Sequence, residues 1–215
     1  MEGRVVIVDY GVHFDTILYP FTIPELANTL ERIGYELSPL LPFPRLPGRP
    51  SGAGEIARKG KTAVHIDAGA QVLIVVDVSI ESVLKSFDEI ANAFLEDNRV
   101  DIDNIVRFYR FNSTYEVRTE KDPLQSIASN LEVPALEKFS EIFDEEVWPL
   151  ELRFTGARLK ANSENWYDIS IRPDYEKNDK YVFSVVYRNK DKEKTQNFIN
   201  RFEERLLKIA ELIEG

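Results

Sequence analysis

Apolar and polar positions along the chain predict the order strand, helix, hairpin, helix, and predict it twice. Residues 5–8 form a short β-branched apolar run that residues 9–12 extend as a first strand. Thr22, Pro24 and Glu25 then give a helix start, with Thr22 as cap, Pro24 in the first turn and Glu25 closing a capping box. Leu26, Leu30 and Ile33 form the inward stripe, and Gly34 is placed to end the helix in a left-handed cap. Residues 39–54 hold five prolines and three glycines, which predicts an exposed loop, longer than a routine connection. Residues 56–78 predict a hairpin: Val64 and Ile66 alternate with Ala63, His65 and Asp67, a turn spans 67–70, and Val72, Ile74 and Val76 return. Ser79 caps a helix in which Val83, Phe87, Ile90 and Phe94 keep helical spacing.

The second half runs the same way. Residues 105–117 predict a strand, and Asp122 with Pro123 opens a helix that Pro134 splits into 124–131 and 135–147. Strands are expected over 150–161, 166–171 and 181–187, the last two joined by the polar turn 174–179. Residues 190–213 predict one long helix, since Phe198, Phe202, Leu206, Ile209 and Ile213 step by four, four, three and four. Side by side, Val64 and Ile66 match Ile169 and Ile171, and residues 73–76 match 183–186. The expected fold is therefore α+β, built from internally duplicated β-α-β-β(-β)-α units over 1–100 and 101–215. The sheet is mainly antiparallel, with helices on one face. Two such units can join edge to edge or close into a partial barrel, and either solution removes an exposed strand edge. This element order resembles the duplicated saddle of the TATA-box-binding protein fold and, less closely, the duplicated effector-binding domains of some bacterial regulators. The resemblance rests on element order alone.

Composition narrows the chemistry. The 215 residues include no cysteine, so disulfides, thiolate metal sites and thiol nucleophiles are excluded. A net charge of −10 disfavours polyanions at long range. Few thermolabile residues beside abundant Glu, Lys and Arg resemble a heat-adapted protein. The first residues lack a signal-peptide pattern and no apolar stretch reaches a membrane span, so a cytoplasmic protein without membrane contact is expected.

Three constellations stand out. The only two histidines each begin a His-x-Asp triplet: His13 with Asp15, and His65 with Asp67. Residues two apart share a strand face, so the four side chains suit a divalent metal or an acid–base pair if their strands are neighbours. Otherwise they are polar strand ends. Residues 45–61 carry Arg45, Arg49, Arg58, Lys59 and Lys61 against Glu55 alone, a local charge of +4 that suits an anion or nucleic acid, or a solvated loop. Arg107 and Arg110 interleave with Phe108, Tyr109 and Phe111, a combination that suits single-stranded nucleic acid, although alternation must send part of the set into the core.

No catalytic triad, zinc spacing or phosphate-binding loop occurs. The expected function is a binding or regulatory module acting through protein or small-ligand contacts across the open sheet face, rather than an enzyme, with no cofactor. The alternatives are nucleic-acid binding through 45–61 and a metal-dependent enzyme using His13, Asp15, His65 and Asp67. The histidines and the basic loop belong to the first unit only, which places an expected site in residues 1–80.

Overall fold

The computed structural model describes residues 1–39, 53–130, 136–156, 164–177 and 179–215. The first half comprises β1 (Glu2–Phe14), α1 (Ile23–Arg32), β2 (Glu36–Leu37), β3 (Ala53–Lys59), β4 (Thr62–Asp67), β5 (Val72–Asp77) and α2 (Ile80–Asn98). A 3-10 turn at Ile102–Asn104 leads to β6 (Val106–Arg118), α3 (Pro123–Asn130), α4 (Leu136–Phe143), β7 (Leu152–Thr155), β8 (Trp166–Pro173), β9 (Lys180–Asn189), α5 (Lys192–Asn200) and α6 (Phe202–Glu214).

The strands form one antiparallel sheet in the order β2-β3-β4-β5-β1-β6-β9-β8-β7. Read outward from the centre, β1-β5-β4-β3 and β6-β9-β8-β7 are the same arrangement. The halves join through β1 and β6, which pair from Glu2↔Arg118 to Phe14↔Val106 with an irregularity between Val5 and Ile7. Of the two ways of removing an edge, this chain uses the edge-to-edge one. The strands left at the rims, β2 and β7, span two and four residues, short enough to offer little template for further pairing.

Local signals explain the elements. The Thr22 hydroxyl accepts from the Glu25 amide while the Glu25 carboxylate accepts from the Thr22 amide, which starts α1. Gly34, at φ 85°, follows the end of that helix. Ser79 caps α2 through the Ser82 amide, and Asp122 accepts from the Leu124 and Gln125 amides at the start of α3. The helices pack on one sheet face, α2 against β1, β4 and β5, and α5 against β6 and β9. Val8, Tyr10 and Val12 of β1 and Phe111, Tyr115 and Val117 of β6 point into this layer and are buried. Tyr10 meets Phe87 edge to face at 5.0 Å, and Phe111 meets Phe202 at 5.0 Å. Each such side chain contributes about 1.5–3 kcal/mol when fully buried.

Several boundaries differ from the sequence expectation: β1 runs beyond the expected 5–12 at both ends, and the hairpin expected over 56–78 is joined at its start by two further strands, β2 and β3. The helix expected over 190–213 is two helices, broken at Arg201 (φ −109°, ψ 8°). The break lets Phe198 stack on Tyr187 at 4.0 Å while Phe202 turns towards Phe111 and Tyr115. The strand expected over 150–161 occupies Leu152–Thr155, and residues 157–163 lie outside the described set. The helix expected to reach 147 ends at Phe143, where Asp144 takes φ 53°. Gly54, expected in the loop, belongs to β3, while residues 40–52 are outside the described set. No helix among the described residues is long and apolar enough to cross a membrane.

Candidate functional site

The face opposite the helices carries the polar chemistry. Alternation along β1 and β6 sends Asp9, Gly11 and His13, and Phe108, Arg110 and Asn112, to this side. The pairing registers then align side chains across six strands. His65 pairs with Ile74, Ile74 with Gly11, Gly11 with Arg110, Arg110 with Arg188, and Arg188 with Trp166. Neighbouring strands lie about 4.8 Å apart, so this row is a continuous transverse strip. Gly11 sits at its middle because β5 approaches closely there. A Cβ at Gly11 would collide with the Leu73 carbonyl oxygen and come within 2.8 Å of Ile74 Cα.

Arg188 is held between two rings, its guanidinium carbon 5.2 Å from the Trp166 centroid and 5.4 Å from that of Phe108. Phe108 in turn stacks on His13 at 4.2 Å. Asp9 accepts from Asn112 Nδ2 at 3.0 Å, and Arg110 Nε stands 3.8 Å from Asp9 Oδ1, beyond hydrogen-bond range. His65 faces Glu55 at 3.9 Å.

Two features mark this cluster as incomplete. Arg110 and Arg188 are direct cross-strand partners, and like charges so placed repel. Among the described residues, buried side-chain atoms without a hydrogen-bond partner include His13 Nε2, Arg110 Nε, Asn112 Oδ1, Trp166 Nε1 and Arg188 Nε. All five lie on this one face, whereas native structures leave few buried polar atoms unpaired. Electrostatics agree with the geometry. Burial, then Arg110 and Arg188, push His13 down to about 4, so the ring is neutral at neutral pH. Burial, then Arg110, lower Arg188. Burial raises Asp9, opposed by Arg110, Asn112 and His65.

The residues singled out from sequence fall into separate places. His13, His65, Asp67 and Arg110 share the open face. His13 and Asp67 both pair with Val72, so β5 stands between β1 and β4. Asp15 lies past the last residue of β1 and is exposed, so the first His-x-Asp triplet does not share a strand face. Asp67 ends β4 and accepts from the Ala70 amide. Among the described residues no three His, Cys, Asp or Glu gather in a way that could hold a metal ion.

The basic residues are divided as well. Arg58 binds both Glu55 oxygens, at 2.9 and 2.5 Å. Lys59 turns to the helix side, reaching Glu89 and the Ile33 carbonyl, each at 2.9 Å. Lys61 lies exposed in the β3–β4 turn, and Arg107 pairs with Glu164 at 3.0 Å. Arg45 and Arg49 lie outside the described residues. The sequence reading passed over Asp9, Asn112, Trp166 and Arg188. Asn112 was within reach by alternation from Arg110, and the turn over 174–179 sets Trp166 opposite Arg188. The meeting of Arg188 with Arg110 depends on β6–β9 pairing, which no local pattern announces.

No protein-family model matches the chain, and comparison with curated proteins finds no match.

Proposed function

We propose that this protein is a binding module that takes a small, flat, anionic ligand on the open face of its sheet. The observation that carries this is the opposed pair Arg110 and Arg188, each with a buried Nε that has no hydrogen-bond partner among the described residues, although Arg110 keeps Asp9 at ion-pair distance, 3.8 Å. An anion between them relieves their repulsion and accepts the unmade hydrogen bonds, and charge-assisted bonds of this kind are the stronger class. Trp166, Phe108 and His13 supply ring surfaces beside that charge, which selects a flat group over a bulky one. A duplicated saddle with helices on one face and a ligand face on the other is the architecture under which we read the site.

Nucleic acid is a poorer match, because Arg58, Lys59 and Arg107 already have acidic partners. A metal centre draws no support from histidines on strands that β5 separates.

The test uses benzoate, adenosine monophosphate and inorganic phosphate, with neutral benzamide as control, followed by thermal shift and tryptophan fluorescence. A ligand of the folded state raises the melting temperature as its concentration passes Kd. The aromatic anions are expected to raise it and quench Trp166, benzamide to do neither, and Arg188→Met to abolish both effects. If no anion binds the wild type, and Arg188→Met alone raises the melting temperature, the arginine pair is only a structural strain and the proposal fails.

A further inference from the structure

The second half leaves two apolar surfaces open at once. One is a groove of about 1120 Å³ on the helix side, between β7, β8 and β9 and the pair α5 and α6. Phe154, Tyr167, Ile169 and Phe198 line it, with Ile209 and Leu212 along α6. Phe154 and Leu212 are 46% and 77% exposed. Among the described residues its lining also includes Lys194, Arg201, Arg205 and Lys208 and no acid, although the chain as a whole carries −10; Lys208 and Lys194 pair with Glu204 and Asp191 beside the groove, so Arg201 and Arg205 carry most of its positive character. Arg205 lies over the Phe198 ring at 5.3 Å, so this cation is fixed at the groove itself.

The other surface is α4. Phe139, Ile142 and Phe143 are three and four residues apart and lie on one face of the helix. They are 45%, 71% and 66% exposed, and Trp148 and Leu150 continue the apolar run. Glu141, Asp144, Glu145 and Glu146 accompany them, and Lys138 is the only base between 136 and 151. Among the described residues, none of α4 lines the groove.

We propose that α4 of each molecule occupies the groove of a second copy, forming a two-fold dimer. The two surfaces complement each other in both respects that matter. An apolar helix face meets an apolar trough, and an acidic flank meets a cationic one. An eight-residue helix is about 12 Å long, short enough to be carried by a single groove contact. A two-fold contact requires each molecule to offer both halves of the match, as this one does. Exposed apolar surfaces on this scale mark interaction sites. The groove lies on the helix side of the sheet, away from the open face, and the dimer does not depend on the ligand proposed above.

Sedimentation velocity of the full chain over a wide concentration range tests this. The wild type is expected to show twice the single-chain mass and to fall to one chain on dilution, doing so already at higher protein concentrations in high salt, where the charged flanks are screened. Ile142→Glu and Leu212→Glu, both at exposed positions, are each expected to sediment as one chain. Mixed together they are expected to regain two-chain complexes, because an intact α4 then meets an intact groove. That recovery also shows both variants to be folded. A wild type that remains one chain at every concentration overturns the proposal. So does a dimer that survives in both variants. A single-chain wild type whose α4 amides are protected from exchange, with protection lost in Leu212→Glu, would place α4 in its own groove and overturn it equally.

Discussion

Arg110 and Arg188 stand opposite each other because β6 and β9 pair in the register that places them so, and the protein tolerates that repulsion on a face where His13 stays neutral. His13 has a pH consequence. Its ordinary value of 6.5 is lowered to about 4 by burial and by Arg110, Arg188 and Arg107, against a backbone contact with Ala70 that favours the charged form. Between those values the unfolded chain takes up a proton that the folded chain refuses, so stability declines as pH falls. The His13 contribution is complete above about 6.5 and is lost as pH drops through about 4. Asp9 acts with the opposite sign. Burial raises it, so its contribution is present at low pH and lost as pH rises through its folded value. His13→Gln is therefore expected to flatten the acid limb of urea midpoints measured against pH and to leave the slope from Asp9. Proton NMR is expected to place the His13 midpoint near 4 in the free protein, and higher when an anion neutralises the two arginines. A midpoint at 6.5 in the free protein would contradict the burial and charge assigned to this ring.

At the scale of elements, periodicity was legible wherever one local rule decided the outcome. Thr22 with Glu25, Ser79 and Asp122 each start a helix through bonds that the sequence spells out. The division of α5 from α6 was not legible, because Phe198 and Phe202 are four residues apart on either account. What divides the helix is tertiary: Phe198 stacks on Tyr187 of β9 and meets Phe111 only at its edge, at 6.2 Å, while Phe202 packs on both Phe111 and Tyr115 of β6. The site was half legible for the same reason. Alternation exposes Arg110 and Asn112 together, but Arg188 joins them only through strand pairing distant in sequence. Since Phe202 is 1% exposed and contacts both β6 aromatics, Phe202→Ala is expected to cost about 3–5 kcal/mol in chemical denaturation. A loss below about 1 kcal/mol would mean that α6 repacks and that the break at Arg201 does not seat it.

For the whole molecule, the junction of β1 and β6 decides whether the two halves behave as one body. Each of these strands spans thirteen residues and is paired on both sides, β1 by β5 and β6, β6 by β1 and β9. Separating them opens the middle of the sheet and exposes both halves of the core. Their amides can therefore exchange only through global unfolding, whereas β2 and β7, short and at the rims, can open locally. Native-state hydrogen exchange is accordingly expected to give the slowest rates at Val8, Tyr10, Val12, Phe111 and Tyr115, with a common dependence on denaturant across the junction. Rates at Glu36, Leu37 and Phe154 are expected to be faster and nearly independent of denaturant. A single cooperative transition by two probes, one in each half, belongs to the same outcome. If β1 and β6 exchanged as quickly as the rims, or if the halves melted separately, the halves would be two domains in contact and not one cooperative sheet. The site would feel that difference directly, because its row of side chains crosses the junction between Gly11 and Arg110.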